Sequence, residues 1–189
     1  MIHIITPCTR PENLPVMQQS IPPECTWTIV LDNTVSEMPE GGGLKAVVYR
    51  SPHTGFFGNP NRNFALEQMQ FEDLDWIYVL DDDNIVHPDW YERVSILTDP
   101  ELNIVSWGQV WQNNSVRLQP AQTPRVGNID TSCYMIRGRM MKKFKYELEY
   151  VADGIIAERV AQQGGHLCLS ENLGYYNYLR TPADRLANP

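Results

Sequence analysis

In Trp76-Ile77-Tyr78-Val79-Leu80-Asp81-Asp82-Asp83-Asn84, an apolar run passes without a spacer into three adjacent carboxylates. Five consecutive apolar residues predict a strand that is buried on both faces. Alternate side chains of a strand share a face, so we expect Asp81 and Asp83 to converge on one point while Asp82 turns away. Carboxylate oxygens at the end of a buried strand suit a hard divalent cation, Mn²⁺ or Mg²⁺. The alternative is a solvated acidic turn that caps a helix beginning near Pro88.

Strand-like and helix-like segments alternate on both sides of this stretch. The alternation predicts an α/β fold, in which a mostly parallel central sheet with a right-handed winding is flanked by helices. We expect one domain, because 189 residues suffice for a sizeable core and no internal repeat occurs. An irregular tail is expected from residue 172 onward. The predicted strands cover 2–6, 25–31, 44–49, 76–80, 103–111, 115–118, 129–136 and 166–169, and the predicted helices cover 13–20, 60–70, 88–97 and 153–162.

Composition and charge argue against several classes of protein. The chain is 42% hydrophobic and 20% charged, which is ordinary for a soluble globular protein. Its net charge of −8, without a basic run, argues against a nucleic-acid-binding protein. Four widely spaced cysteines without a CxxC pair indicate free thiols in a reducing compartment. No signal-peptide pattern and no run of about 18 apolar residues occur, so we expect a cytoplasmic protein without a membrane span.

Polar residues follow three of the predicted strands, at 6–10, at Asp32 and at 81–83. In an open α/β sheet, ligands bind outside the carboxyl ends of the strands. Arg10 could donate a charge-assisted hydrogen bond to a phosphate, and Asp32 could accept one from a nucleobase imide or a ribose hydroxyl. Each residue alone also fits a simpler role, Asp32 as a turn former and Arg10 as a surface charge. Together with the acidic cluster they outline a site for a nucleoside diphosphate.

Seven short segments, spread over most of the chain, carry a family resemblance. They are Ile4-Ile5-Thr6-Pro7-Cys8-Thr9-Arg10, Asp32, Asn61-Arg62-Asn63-Phe64-Ala65-Leu66, Tyr78-Val79-Leu80-Asp81-Asp82-Asp83-Asn84, Ile129-Asp130, Ile155-Ile156-Ala157-Glu158 and Leu179-Arg180-Thr181. In this order they resemble the GT-A glycosyltransferases, first the β-1,3-glucuronyltransferases of family 43 and next the family 2 glycosyltransferases. The resemblance implies a single GT-A (Rossmann-like) domain over 1–189, in which 1–100 bind the nucleotide sugar and 101–189 face the acceptor.

The resemblance also implies a reaction and a set of site residues. The reaction would be metal-dependent transfer of a sugar from a UDP-sugar donor to a hydroxyl of a saccharide or other acceptor, with inversion. Asp83 would ligate Mn²⁺ (or Mg²⁺), which bridges the two donor phosphates. Arg180 would meet the diphosphate, and Asp81 would touch the ribose or the donor sugar. The residues expected on the donor side are Thr6, Pro7, Arg10, Asp32, Arg62, Asp81, Asp82 and Arg180.

The general base is the second catalytic element that the chain must supply. An attacking hydroxyl loses its proton to a group within hydrogen-bond reach, and a carboxylate can accept it. Asp153 is the candidate, because it follows an apolar segment and opens a predicted helix, although it could instead serve only as a helix N-cap. By the resemblance, the family has Glu near Ala152 and His at the position of Tyr178. Asp130, which would reach sugar hydroxyls, is the next catalytic candidate.

Three other classes of protein share part of this pattern. A haloacid-dehalogenase-type phosphohydrolase also carries Asp-x-Asp after an apolar strand, but on the first strand rather than the fourth. A nucleotidyltransferase would have a glycine-rich loop with Arg and Lys after the first strand, which residues 6–10 do not form. A non-catalytic sugar-binding protein could dispense with the three aspartates that this chain keeps. Metal-dependent release of UDP from a UDP-sugar would separate the enzyme from the binding protein.

Overall fold

Eight strands form one mixed sheet in this computed structural model, which describes residues 1–37 and 43–180. The strands are β1 (Ile2–Cys8), β2 (Thr26–Leu31), β3 (Val47–Arg50), β4 (Trp76–Val79), β5 (Ile104–Val110), β6 (Val116–Leu118), β7 (Tyr134–Arg137) and β8 (His166–Tyr175). The α-helices are α1 (Leu14–Ser20), α2 (Asn59–Gln68), α3 (Trp90–Ser95), α4 (Gly138–Lys143) and α5 (Ala152–Ala161). The strand order is β3-β2-β1-β4-β7-β5-β6, and β8 pairs with β5 off this path. The α/β fold expected from the sequence is confirmed.

The first four strands run parallel and determine where a ligand can bind. β1 pairs with β2 on one side and with β4 on the other, and β2 pairs with β3. The chain order therefore reverses direction at β1. Such a reversal leaves a crevice outside the carboxyl ends of the two strands that flank it. Cys8 ends β1 and Val79 ends β4, so the loop after β1 and the acidic turn after β4 meet at this crevice.

The buried strand predicted at the centre of the sheet packs into two different cores. Trp76 and Tyr78 belong to the cluster that includes side chains of α1 and α3. Ile77 and Val79 belong to the cluster that includes side chains of α2 and α5. All four residues of β4 are buried. Burial on both faces requires an apolar run, so the first carboxylate can appear only where the strand leaves the sheet.

Beyond β4 the sheet is mixed. β7 runs antiparallel to both β4 and β5, β6 is antiparallel to β5, and β8 is parallel to β5. Among the described strands, parallel pairing thus holds for four of the seven pairs. The connection between β5 and β6 is short, and a parallel crossover needs about a dozen residues or more. The antiparallel hairpin is the arrangement that such a connection permits.

The structure corrects several predicted elements after residue 100. The strand expected over 129–136 begins only at Tyr134, after one turn of 3₁₀-helix at Thr131–Cys133. The sequence did not predict α4. β8 continues to Tyr175 and absorbs the start of the expected irregular tail, because β5 offers it backbone partners along its length. Residues 38–42, between β2 and β3, and residues 181–189, at the end of the expected irregular tail, lie outside the described residues. No helix in the described ranges has the length and apolar character needed to cross a membrane.

Candidate active site

A cavity of about 450 Å³ opens at the carboxyl ends of β1 and β4. Its wall includes the loop after β1, the acidic turn after β4, the start of α2, part of β6 and the start of α5. Residues from distant parts of the chain therefore meet in one place. Ten of the eleven residues predicted for the site line the cavity, namely Pro7, Arg10, Asp32, Arg62, Asp81, Asp82, Asp83, Asp130, Asp153 and Arg180.

Thr6 is the exception among the predicted residues. Its side chain is fully buried and does not line the cavity. The Thr6 hydroxyl accepts a hydrogen bond from the indole nitrogen of Trp27 at 3.0 Å, which ties β1 to β2 inside the sheet. The donor contact predicted for Thr6 is therefore not supplied by its side chain. Pro7 follows in β1 and does reach the cavity.

Asp82 holds the loop that follows β1. Its Oδ2 atom accepts hydrogen bonds from the backbone nitrogens of Thr9 and Arg10 at 2.6 and 2.7 Å. Its Oδ1 atom accepts from the Arg10 guanidinium at 2.5 Å. Asp82 is 4% exposed, so these donors, rather than bulk water, stabilise its charge. The carboxylate thereby connects the carboxyl ends of β1 and β4.

Asp81 pairs with Arg62 of α2. Arg62 donates from Nη2 to Asp81 Oδ1 at 2.7 Å and from Nη1 to Asn59 Oδ1 at 2.8 Å. Its guanidinium also lies over the Tyr146 ring, 5.2 Å from the centroid. Burial lowers the pKa of Arg62, but the Asp81 carboxylate outweighs that effect and raises it, so Arg62 stays charged. The Asp81 side chain is 30% exposed and faces the cavity.

Asp83 is bound by the segment that follows β8. Arg180 donates from Nε to Asp83 Oδ2 at 2.7 Å, and the backbone nitrogen of Leu179 donates to the Asp83 carbonyl at 2.8 Å. Arg10 Nη1 lies 3.7 Å from the same Oδ2 atom. Burial and the charge of Asp81 raise the pKa of Asp83 to about 6, although Arg180 opposes the shift. The surroundings of Asp83 therefore favour additional positive charge.

The interpretation of this segment as a solvated acidic turn is wrong. Asp82 and Asp83 are each 4% exposed. The helix that the turn would have capped, α3, begins at Trp90 and has Asp89 at its N-cap position. The acidic cluster is thus a buried, paired structure at the cavity wall.

Arg117 of β6 adds an ion pair that the sequence did not predict. It donates from Nη1 to Asp130 Oδ2 at 2.7 Å, and its guanidinium lies 3.6 Å from the centroid of the Tyr176 ring. Asp130 also accepts a hydrogen bond from the backbone nitrogen of Thr131 at 2.7 Å. A single arginine in a short hairpin strand gives no local sign of a partner on the far side of a loop. Only the tertiary fold brings Arg117 to the cavity.

Asp32 is one of two cavity carboxylates without a salt bridge among the described residues. It is 2% exposed and accepts hydrogen bonds from the backbone nitrogen of Thr34 at 3.0 Å and from Asn61 Nδ2 at 2.8 Å. Burial raises the pKa of Asp32, but hydrogen bonds from Thr34, Thr54 and Asn61 outweigh it and lower the pKa. Asp32 therefore remains an ionised hydrogen-bond acceptor. The four ion-paired carboxylates are Asp81, Asp82, Asp83 and Asp130.

Asp153 is the other carboxylate without a salt bridge in the part of the chain that the structure describes. It lies in the first turn of α5, whose N-cap residue is Val151 and has no side-chain capping hydrogen bond. The alternative in which Asp153 is only an N-cap is therefore wrong. Its Oδ1 atom accepts from the backbone nitrogen of Gly154 at 2.8 Å. Burial and the charge of Asp130 raise the pKa of Asp153 to about 6, although the Gly154 hydrogen bond opposes the shift.

The cavity offers carboxylate oxygens to a divalent cation. Asp81 and Asp83 both line it, and carboxylate ligands suit Mg²⁺ and Mn²⁺. Within the described residues, no three His, Cys, Asp or Glu side chains are arranged to hold an ion by themselves. Mg²⁺ sites in nucleotide-binding enzymes commonly use one or two protein carboxylates and complete the coordination with substrate phosphates. The residues therefore fit a cation that arrives with a diphosphate.

Solved structures share this fold at low sequence identity. One is TarS of S. aureus (residues 1–349), with a TM-score of 0.67 and 13% identity over 92% of this chain and 59% of that one. A second is 4-diphosphocytidyl-2C-methyl-D-erythritol synthase, with a TM-score of 0.55 and 12% identity over 97% and 94% of the two chains. A third is the inositol-1-phosphate CTP transferase of T. maritima, with a TM-score of 0.50 and 9% identity over 98% and 94%.

These likenesses establish a GT-A-like, Rossmann-type fold. This chain spans less than two thirds of the TarS structure and corresponds to nearly the whole length of the other two. The sequence matches no protein-family model and no curated protein. The likenesses do not single out family 43 among the proteins with this fold.

Proposed function

We propose that this chain is a metal-dependent glycosyltransferase that moves a sugar from a UDP-sugar to a hydroxyl of an acceptor, with inversion. The proposal rests on a difference in ion pairing among the six carboxylates that line the cavity. Four have an arginine partner, whereas Asp32 and Asp153 have none among the described residues. Such a site supplies cations for a diphosphate and also leaves carboxylates that can bind hydroxyls or accept a proton.

The donor diphosphate would bind where Arg10 and Arg180 meet Asp83. Both guanidinium groups lie within 4 Å of the Asp83 carboxylate, at 3.7 and 2.7 Å. Arginine binds carboxylate and phosphate oxygens with the same planar geometry, so it can exchange one for the other and remain paired. Asp32, at the end of β2, would accept a hydrogen bond from the ribose or the nucleobase. Most of the residues proposed for the donor thus lie in 1–100, and Arg180 adds one from 101–189.

Asp83, with Asp81 beside it, would hold the divalent cation that accompanies the diphosphate. When bound, a cation of this kind acts as a Lewis acid and stabilises the charge that grows on the leaving group. Arg180 would contribute to the same stabilisation from the protein side, since its guanidinium already lies at Asp83. Arg62 would orient the Asp81 carboxylate, to which it donates a hydrogen bond at 2.7 Å.

Transfer breaks the bond between the anomeric carbon and the donor phosphate oxygen, and the electron pair leaves with the diphosphate. The acceptor oxygen forms the new bond on the opposite face, which inverts the configuration, and its proton passes to Asp153. A carboxyl group with a pKa of about 6 is ionised at neutral pH and is a better base than an ordinary aspartate. Asp130, held by Arg117, would bind a sugar hydroxyl.

A nucleotidyltransferase is the second candidate, because the T. maritima structure with this fold is a CTP transferase by name. Backbone nitrogens in a loop after the first strand would then bind a triphosphate. Here the backbone nitrogens of Thr9 and Arg10 already donate to Asp82. This contact favours glycosyl transfer. Release of pyrophosphate from CTP in the presence of a sugar phosphate would support the second candidate instead.

Thermal unfolding with nucleotides tests the proposed function. The protein is heated with UDP, GDP, CDP or dTDP, each with and without Mn²⁺, and release of UDP from UDP-sugars is then followed over time. We expect the largest rise in Tm with UDP and Mn²⁺ together, and slow UDP release that depends on Mn²⁺. A rise in Tm without UDP release would indicate a non-catalytic sugar-nucleotide-binding protein. An unchanged Tm with all four nucleotides would contradict the proposal.

A further inference from the structure

Two exposed aromatic rings lie at the mouth of the cavity. Phe57 is 62% exposed and Tyr150 is 73% exposed, and both line the cavity. Their ring centroids are 4.9 Å apart, with an interplanar angle of 72°. Burial of a large aromatic side chain is strongly favourable, so a pair of rings left in solvent beside a cavity indicates a surface that a ligand covers.

The loop before α2 adopts an unfavourable backbone conformation that holds Phe57 in this place. Four consecutive residues have positive φ angles, 72° at Gly55, 46° at Phe56, 56° at Phe57 and 79° at Gly58. This region is disfavoured for phenylalanine because its Cβ atom crowds the backbone. Gly58 also lies against Pro7, whose Cβ atom would be 3.2 Å from a Cβ at that position. Backbone strain of this kind clusters at ligand sites, where the surrounding structure enforces it.

Hydrogen bonds fasten the two segments that carry the rings to each other. Asn59 Nδ2 donates to the Glu149 carbonyl at 2.7 Å. Asn63 donates to the Tyr146 carbonyl at 2.8 Å and accepts from the Tyr146 backbone nitrogen at 2.9 Å. These contacts use amide side chains and the backbone, and neither ring takes part. Removal of a ring should therefore leave the two segments joined and in the same position.

We propose that Phe57 and Tyr150 form a platform on which a pyranose ring of the acceptor saccharide packs. The inference rests on the proposed function, in which Asp153 receives the proton of the acceptor hydroxyl. Asp153 and Tyr150 are three positions apart in the chain and line the same cavity. An acceptor whose hydroxyl reaches Asp153 therefore has the rest of its ring available to the platform. Because the rings meet at 72°, the apolar C–H face of a pyranose can lie on the face of one ring while the other ring contacts its edge.

The size of the platform favours a sugar over a protein. Two aromatic side chains can bury only about 150–250 Å² each, whereas a stable protein interface buries about 800 Å² per partner. A single saccharide ring matches both the area and the nearby carboxylate. A nucleobase is the other ligand to test, because Thr54 and Asn61, on either side of Phe57, donate hydrogen bonds to Asp32.

The test uses Phe57→Ala and Tyr150→Ala, with Phe56→Ala as the matched control. Phe56 is 56% exposed and shares the positive φ angle, but it does not line the cavity. Lactose, cellobiose and methyl β-N-acetylglucosaminide serve as probes in saturation-transfer NMR, with UDP and Mn²⁺ present. We expect binding of at least one probe, weakened about tenfold in each of the two variants and unchanged in the control. Tyr150→Phe should keep most of the affinity, since it keeps the ring.

Calorimetric titration with UDP separates the possible outcomes. The proposal requires UDP affinity to stay the same in all three alanine variants. If UDP affinity falls while saccharide binding persists, the rings contact the nucleobase and the platform is overturned. Saccharide binding that is unchanged in both variants also overturns it, as does a wild-type protein that binds UDP but none of the three probes. Failure of the wild-type protein to bind UDP at all counts against the proposed function itself.

Discussion

Aspartate side chains have different charged neighbours in the acidic turn after β4 and in the first turn of α5. In the acidic turn every aspartate has a guanidinium partner, and the pairs are Asp81–Arg62, Asp82–Arg10 and Asp83–Arg180. In α5, Asp153 has one donor among the described hydrogen bonds, the backbone nitrogen of Gly154. Burial raises the pKa of Asp153, and the largest effect of a neighbouring charge, that of the Asp130 carboxylate, raises it further.

The difference separates two uses of a buried carboxylate. A paired aspartate orients its arginine and can exchange it for a ligand, because the opposite charge favours the ionised form, as Arg180 does at Asp83 against the effect of burial. A buried aspartate with neither a cation nor several hydrogen-bond donors, such as Asp153, is costly to ionise and so holds a proton more strongly, which is the property that a general base needs. Asp32 differs from Asp153 because hydrogen bonds from Thr34, Thr54 and Asn61 lower its pKa. Substitutions that neutralise the carboxylates one at a time test whether the two kinds of aspartate differ in this way.

The largest effect is expected for Asp153→Asn. The substitution keeps the size of the side chain but removes the proton acceptor, so transfer should fall by about 10²-fold or more. UDP affinity should stay near that of the wild type, because Arg180 and Asp83 are untouched. Rates of UDP release in the presence of acceptor, together with calorimetric titration of UDP, measure the two quantities.

The pH dependence of the transfer rate provides a control for the prediction on Asp153. Asp153 accepts a proton only when ionised and has a pKa of about 6, so wild-type transfer should fall about tenfold per pH unit below pH 6. The rates are measured with UDP-sugar and Mn²⁺ at saturation, so that protonation of Asp83, whose pKa is also raised to about 6, does not limit binding. Under these conditions the residual transfer of Asp153→Asn should lack this acid limb. Transfer in the variant within about threefold of wild type would place the base elsewhere, and Asp130 would be tested next.

Neutralising Asp83 should affect binding rather than the proton transfer. In Asp83→Asn we expect the gain in UDP affinity that Mn²⁺ provides to fall by about 10–100-fold, the usual cost of disturbing a metal site. The fold should persist, since the residue lies where the strand has already ended. Asp89→Asn is the matched control, because Asp89 is 72% exposed and lies outside the cavity lining. Equal Mn²⁺ dependence in both variants would rule out the assignment of Asp83 to the cation.

Asp82→Asn and Asp153→Asn should change the free energy of unfolding in opposite directions. Asp82→Asn weakens a buried pair and three further hydrogen bonds, so the free energy of unfolding should fall by about 2 kcal/mol or more. Asp153 has a folded-state pKa raised from 3.8 to about 6, so its contribution to stability is present below pH 3.8 and is lost as pH rises through 6. Asp153→Asn should therefore stabilise the protein at pH 8, on the order of 1–2 kcal/mol. Urea unfolding of both variants at pH 8 measures the sign of each change in the free energy of unfolding. Changes of the same sign would contradict the difference proposed between Asp82 and Asp153.

The smallest effect is expected for Asp32→Ala. Asp32 is proposed to touch the ribose or the nucleobase and not the cation, so UDP should bind about tenfold more weakly even without Mn²⁺. Titration of UDP in the presence of a chelator measures this. An unchanged metal-free affinity would leave Asp32 with the structural role that its hydrogen bonds to Thr34 and Asn61 already give it.

In the first half of the fold, β1, β2 and β4 were well predicted because they are buried on both faces, whereas the exposed strand β3 begins at Val47 rather than at 44. A strand such as β4 has no exposed side, so its residues form a continuous apolar run that the sequence displays directly. β8 was predicted too short for the opposite reason. Its pattern of partly exposed residues resembles a loop, and only the edge of β5 makes it a strand. α4 was missed because its six residues give too short a periodic pattern.

Amino-acid order alone indicated the α/β class, the position of the acidic turn at the end of a buried strand, and ten of the residues that line the cavity. The fold class and the acidic turn follow from periodicity and from the rule that ligands bind at the carboxyl ends of parallel strands. Arg62, Asp130 and Arg180 were expected only because of the family resemblance. Within residues 1–37 and 43–180, the tertiary structure decided which carboxylates pair with a guanidinium group and which do not. Charge pairing depends on a separation of a few ångströms, whereas Arg180 and Asp83 are 97 positions apart in the chain. No local pattern records such a distance, so the burial of Thr6, the partner of Arg117 and the raised pKa of Asp153 could be known only from the folded chain.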